Sequence, residues 1–168
     1  MTARRALVVT VSTRTAAGTW EDRSGPVLVD GLEALGLAVD GPVVVPDGEE
    51  VERALRSAVA ADYDLVVTTG GTGLTPTDHT PEMTRLVLDR EAPGIAEALR
   101  AQGLAAGVAS AMLSRGTAGI AGRTLVVNLP GSTGGARDGV ALLATVLDHA
   151  LDQVRGSDHT PSDPGTRT

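Results

Sequence analysis

Three features of the sequence predict an α/β fold in which parallel strands are covered by helices on both faces. Strand-like and helix-like segments alternate along the chain. The strand-like segments are continuous β-branched runs, as expected of strands buried on both sides. With 168 residues, 42% of them apolar, the chain can fill one sizeable core. That core has no Phe and at most one Trp and one Tyr. Val, Leu and Ala must therefore pack it, with 21 glycines letting backbones approach closely.

The elements follow in order. Ala6-Leu-Val-Val-Thr-Val-Ser12 reads as a buried strand. Ser24-Gly-Pro26 opens a helix in which Ser24 is the expected cap and Pro26 sits near the first position; Leu28, Leu32 and Leu35 mark its apolar face and Gly36 ends it. A second strand over 39–45 is interrupted by Gly41-Pro42 and so is bent or at an edge. Asp47-Gly-Glu-Glu starts a helix with acids in its first turn and Val51, Leu55 and Val59 on one face. Leu65-Val-Val-Thr-Thr69 is a third strand, ended by glycines. Thr80-Pro81-Glu82 then starts a helix, with Thr80 as the expected cap. A helical region runs from Pro93-Gly94 to about Met112, and Leu125-Val-Val-Asn128 is a further strand. Val140, Leu143, Leu147, Ala150 and Val154 step by three and four along the last helix. Residues 1–156 are expected to form one domain. Residues 157–168, with two prolines and no apolar periodicity, read as a disordered tail.

Composition excludes several chemistries. Without cysteine there are no disulfides, thiolate nucleophiles or cysteine-ligated metals. Every one of the 14 basic residues is Arg, and without Lys there is neither Schiff-base chemistry nor a Walker P-loop. A net charge of −7 argues against nucleic acid as a partner. No signal-peptide core follows Arg4 and Arg5, and the longest uncharged stretch, 101–114, is well short of the ~20 residues that span a bilayer. A cytoplasmic protein without membrane contact is expected.

If the strands are parallel, four loops share one rim at their carboxyl ends, where ligands of such sheets bind. These are Ser12-Thr-Arg14, Pro46-Asp47, Gly70 to Asp78, and Asn128-Leu-Pro-Gly-Ser132. In Thr68-Thr69-Gly70-Gly71-Thr72-Gly73 the glycines free backbone amides to converge on a phosphate, although the same residues suit a tight strand-to-helix turn. Asp78 could hold Mg²⁺ beside that phosphate, and Asp47 could face the same space; the alternative for each is a helix cap. Arg14 and Arg115 are candidates to neutralise phosphate oxygens, or else are solvated charge. Glu82 fits the helix dipole. Asn128 to Ser132 could contact an anionic or heterocyclic ligand, or simply connect strand to helix. His79, His149 and His159 show neither zinc-ligand spacing nor a Ser-His-Asp arrangement.

Together these motifs resemble the molybdenum-cofactor biosynthesis family: molybdopterin adenylyltransferases of the Mog type, MoaB proteins and, more distantly, the gephyrin G domain. Thr69-Gly-Gly-Thr-Gly73 with Asp78 and Thr80-Pro-Glu82 carries the resemblance most specifically. Ser12-Thr-Arg14 with Gly18 and Asp22, Asp89-Arg-Glu91 with Pro93-Gly94, Leu113-Ser114-Arg115 and Asn128-Leu-Pro130-Gly131-Ser132 extend it over roughly 6–155. The resemblance implies a three-layer α/β/α sandwich, usually trimeric, with a mostly parallel central sheet. It implies transfer of AMP from ATP to the terminal phosphate of molybdopterin with Mg²⁺, releasing pyrophosphate, and a possible downstream molybdenum-insertion protein as partner. The family's two essential aspartates fall on Asp47 and Asp78, as catalytic and metal-binding residues. Substrate binding would fall to Ser12, Arg14, Thr69, Gly70, Gly71, Thr72, Gly73, Ser114, Arg115, Asn128, Pro130, Gly131 and Ser132. Thr13 stands where many members carry Asp, and Ser132-Thr133 replaces a common Ser-Pro and looks more like MoaB. The alternative reading is a catalytically silent MoaB-like pterin-binding or scaffold trimer.

Overall fold

A computed structural model of the chain describes residues 3–156. The tail expected over 157–168 lies outside the described residues. The strands are β1 (Arg5–Val11), β2 (Ala38–Val45), β3 (Leu65–Thr69), β4 (Arg90–Glu91), β5 (Ala118–Ala121) and β6 (Thr124–Leu129). The helices are α1 (Thr13–Ala16), α2 (Ser24–Ala34), α3 (Glu49–Ala60), α4 (Thr80–Arg85), α5 (Pro93–Ala105) and α6 (Thr133–Val154); a 3₁₀ turn covers Ala109–Leu113.

The six strands form one sheet in the order β2-β1-β3-β6-β5-β4. β1 pairs in parallel with β2 and β3, and β3 with β6. The last two strands are antiparallel: β5 pairs with β6 and β4 with β5. This antiparallel edge is absent from the sequence expectation because β4 is only two residues long and both its residues are exposed. In β5, Ala118-Gly-Ile-Ala121 is too short and too rich in small residues to stand out as a strand.

Alternation along the central strands divides the core in two. Ala6, Val8, Leu65, Val67, Leu125 and Val127 face Leu28 and Leu32 of α2 and Leu143, Leu147 and Leu151 of α6. Leu7, Val9, Val11, Val66 and Val126 face Val51, Leu55 and Ala58 of α3, with Val87 just after α4. Strands buried on both faces need continuous apolar runs, which accounts for the β-branched sequences. The result is the three-layer α/β/α sandwich that the resemblance implies, with a mostly parallel sheet.

The interrupted strand is indeed an edge. Gly41-Pro42 is a cis peptide, and the β1–β2 register shifts between Leu7 and Val9, next to it. Proline lacks the N–H that an inner strand must donate, so only an edge tolerates it. Two expected caps are corrected. Ser24 is the first helical residue of α2, and Asp22 Oδ1 accepts the Gly25 N–H instead, at 2.9 Å. Thr80 is likewise inside α4, where its hydroxyl donates to the Gly70 carbonyl at 3.0 Å. In both cases a hydroxyl that could have capped its own helix meets the exit of β3 instead, Ser24 at Thr69 and Thr80 at Gly70.

Candidate active site at the carboxyl ends of the strands

Strand order reverses at β1: the chain passes from β1 to β2 on one side, then returns to β3 on the other. The loops after β1 and β3 therefore diverge and leave a crevice between them, the topological switch point of an open α/β sheet. All four loops expected on one rim are there, because β1, β2, β3 and β6 are parallel.

Three depressions meet at the glycine loop. The largest, about 710 Å³, runs from Gly70, Gly131 and Ser132 to Arg14 and Trp20. A second, about 590 Å³, is lined by Gly71, Gly73, Asp78, Ser114 and Pro130. The third, about 500 Å³, brings Asp47 and Asp78 together with Ser12, Thr13 and Gly71. Spaces of this size suit small-molecule ligands.

The loop needs its glycines at two positions. Gly70 has φ +98°, and a Cβ there would lie 2.3 Å from the Val11 carbonyl oxygen. Gly71 has φ +66°, and its Cβ would meet Thr80 Oγ1 at 2.2 Å and Asp47 Oδ1 at 2.8 Å. Both conformations are costly for side-chain-bearing residues. Thr80 fastens the loop by donating its hydroxyl to Gly70 O and its N–H to Gly71 O, each at 3.0 Å.

Neither aspartate caps a helix. α3 begins at Gly48 with no side-chain cap, while Asp47 Oδ2 accepts from the Thr13 hydroxyl at 2.8 Å and from the Thr13 N–H at 3.2 Å. The Thr13 hydroxyl in turn accepts the Asp47 N–H at 3.2 Å. Thr13 thus takes no acidic role itself; it orients Asp47, a contact that sequence spacing across 34 residues could not reveal. Asp78 Oδ2 accepts the Thr75 N–H at 3.1 Å, which turns the carboxylate toward Gly73.

Other expected ligand contacts have internal partners. Arg115 Nε donates to Gly73 O at 2.8 Å, one terminal nitrogen donates to Asp78 O at 2.7 Å, and the other pairs with Glu82. Its N–H donates to Thr72 O at 2.8 Å. The guanidinium therefore clamps both ends of the 73–78 loop. Burial pushes the Glu82 carboxyl upward, but the hydrogen bond and charge of Arg115, helped by Glu82's own N–H and by Arg85, hold it below its ordinary range. Glu82 does more here than complement a helix dipole.

The buried Asn128 amide is likewise engaged. It donates to Thr68 Oγ1 and Thr84 Oγ1, each at 3.0 Å, and accepts the Thr117 N–H at 3.2 Å. Thr69 donates to Pro130 O at 2.8 Å and lies 3.0 Å from Ser24 Oγ, joining the β3 and β6 exits. Thr72 is buried, and its carbonyl serves Arg115. Ser12 and Ser132 cap α1 and α6, accepting from Thr15 N and Gly135 N. Ser114 and Gly131 lie on the crevice walls, and Ser114 Oγ also accepts the Gly116 N–H at 3.4 Å. Sequence reasoning passed over Trp20 and Thr75, both rim residues; Trp20's only signal was being the sole Trp.

Among the described residues no cluster of three or more His, Cys, Asp or Glu could hold a metal, and no helix is long and apolar enough to cross a membrane. Two carboxylates remain, which suits a cation completed by substrate phosphates and water better than a closed protein cage.

Fold and rim define an α/β protein with an open crevice at its switch point. Residues 7–149 match the family described as the probable molybdopterin binding domain, and the chain belongs to that family. It is 38% identical over 152 residues to the molybdopterin adenylyltransferase of Pyrococcus furiosus, covering 88% of this chain and 89% of that one. It is 35% identical over 156 residues to the molybdenum cofactor biosynthesis bifunctional protein of Chlorobaculum tepidum, covering 92% of this chain. The chain spans about half the length of that relative. The structure of the molybdopterin biosynthesis Mog protein from Mycobacterium ulcerans superposes with a TM-score of 0.86 at 50% identity, covering 90% of this chain and 99% of that one. The family and fold expected from the glycine–Asp–Thr–Pro–Glu combination are borne out.

Proposed function

We propose that the chain is a molybdopterin adenylyltransferase, transferring AMP from ATP to the terminal phosphate of molybdopterin. The observation that carries this reading is the crevice shared by Asp47, Asp78 and Gly71, with no His, Lys or Cys among its lining residues. In the proposed reaction a pterin phosphate oxygen attacks the α-phosphorus of ATP, the bond from that phosphorus to the bridging oxygen breaks, and pyrophosphate leaves. A phosphate nucleophile is already ionised, so no general base is required. What remains is positioning and charge neutralisation.

The chain's own residues divide that work. The amides of Gly70 to Gly73 would orient phosphate oxygens, as a nest does. Arg14 would supply positive charge. Asp47, oriented by Thr13, and Asp78, set by Thr75 and the Arg115 clamp, are the residues that would hold Mg²⁺. Bound Mg²⁺ supplies charge neutralisation on the triphosphate.

Three further readings belong to the same proposal: a homotrimer, hand-over of product to a molybdenum-insertion protein, and action in the cytoplasm. Exposed Leu104, Val108, Met112 and Leu113 give the described residues an apolar surface that supports a subunit contact. Incubating the protein with molybdopterin, Mg²⁺ and ATP labelled at the α-phosphate tests the activity. Label appearing on the pterin is expected, and Asp78→Asn should lower its rate by roughly 10²-fold or more. Pterin binding without label transfer would instead establish the silent, MoaB-like alternative.

A further inference from the structure

The loop after β1 carries an aromatic ring that core packing does not explain. Trp20 is 57% exposed and lines the 710 Å³ crevice whose far wall is the glycine loop. The Arg14 guanidinium lies over its ring, 3.5 Å from the centroid. Among the described residues that guanidinium has neither an ion-pair partner nor a hydrogen-bond acceptor. The neighbouring acids are engaged elsewhere: Glu21 with Arg23, and Asp22 with Thr10 and the Gly25 N–H. The backbone holds the pair together. Thr19 N–H, Trp20 N–H and the Thr19 hydroxyl all donate to the Arg14 carbonyl, at 3.0, 3.3 and 2.8 Å, around a turn at Gly18 with φ +76°.

We infer that Trp20 is a stacking platform for the bicyclic heteroaromatic ring of a phosphate-bearing ligand, and that Arg14 covers its face until the ligand arrives. The inference rests on the reading of the rim as a phosphate-ester site, and adds to it the part of the site that recognises the ring. An exposed cation–π contact is weak, so a flat bicycle that buries more of the indole displaces it. The displaced guanidinium then exchanges an aromatic face for phosphate oxygens, which it can bind bidentately. One loop thus reads both ends of the ligand. A purine nucleotide and a pterin phosphate both present such a bicycle.

Calorimetric titration of the intact protein and its Trp20→Ala and Trp20→Phe variants with ATP, a pterin phosphate and tripolyphosphate, all with Mg²⁺, tests this. Trp20→Ala should weaken at least one of the two bicyclic ligands by about tenfold or more, as loss of a stacked base does, and leave tripolyphosphate within about twofold. Trp20→Phe should recover most of the loss. The ligand that shows the loss identifies the ring. Because Trp20 is the sole tryptophan, its fluorescence should also be quenched saturably by that ligand. Unchanged affinity for both bicyclic ligands in Trp20→Ala, or an equal loss for tripolyphosphate, overturns the inference. The phosphate reading survives either result, because wild-type binding of tripolyphosphate measures it separately. If the wild type binds none of the three ligands, both readings fall.

Discussion

Three residues of the rim separate what holds the site from what would touch a ligand. Gly71 admits no side chain, since even a Cβ would strike Thr80 and Asp47. Gly71→Val should therefore abolish ATP binding and cost about 1–3 kcal/mol of stability through positive φ and overpacking, as read by calorimetry and thermal melting. Unchanged affinity in a folded Gly71→Val variant would make the loop a turn and nothing more. Asn128 is the opposite case. Its amide is consumed by Thr68, Thr84 and Thr117. Asn128→Ala should lower stability by about 2–4 kcal/mol, because buried donors and acceptors lose partners. In variant protein that remains folded, KM for ATP should stay near wild type. A large KM change with unchanged melting temperature would return Asn128 to the ligand. Glu82 gives the pH dependence. Its folded carboxyl is held below the ordinary value of about 4.5, so its contribution is present above that value and is lost as pH falls through the lowered one. Glu82→Gln should make the acid limb of the stability curve shallower, measured by melting temperature between pH 3 and 6, with little change at neutral pH in the slope.

At the scale of elements, hydroxyls and carbonyls from one loop fasten the next. Ser132 follows β6, caps α6 and lines the crevice, so its structural and ligand roles can be separated by substitution. Ser132→Ala should cost about 1 kcal/mol of stability, whereas Ser132→Asp keeps a good cap. The added negative charge should nevertheless weaken ATP binding if phosphate lies beside it, a result that melting and calorimetry on the same variants can check. The helix starts of α2 and α4 teach the same lesson. Ser24 and Thr80 have the residue types and positions of caps, but their hydroxyls face Thr69 and Gly70. Tertiary partners compete for a hydroxyl on equal terms with the local helix end, and a sequence shows only the local competitor.

At the scale of the molecule, α6 secures the sheet face behind the crevice. Leu143, wholly buried, packs among the side chains of that face. Leu143→Ala should cost about 2–5 kcal/mol by loss of contacts and the cavity left behind. It should leave the Kd for ATP nearly unchanged in the folded fraction, since Leu143 lines none of the three crevices; urea unfolding and calorimetry would show this. A fall in affinity matching the fall in stability would mean that the rim depends on the core more closely than the packing indicates.

The sequence by itself determined the α/β class, the four parallel strands and the loops that meet at their carboxyl ends. The physical reason is that buried parallel strands require uninterrupted β-branched runs, and parallel pairing forces successive loops to one rim. It also singled out Asp47, Asp78 and the glycines as site candidates, with a helix cap or a tight turn as the alternative for each. Only the tertiary structure decided which rim residues are spoken for. Arg115, Asn128 and Thr69 look like ligand contacts in the sequence, yet their polar atoms meet partners 11 to 61 residues away. The Thr13–Asp47 pair was invisible for the same reason, whereas the antiparallel β4–β5 edge was invisible because its strands are too short to show a pattern. A hydrogen bond is satisfied by whichever group arrives in space, and spacing along the chain does not record arrival.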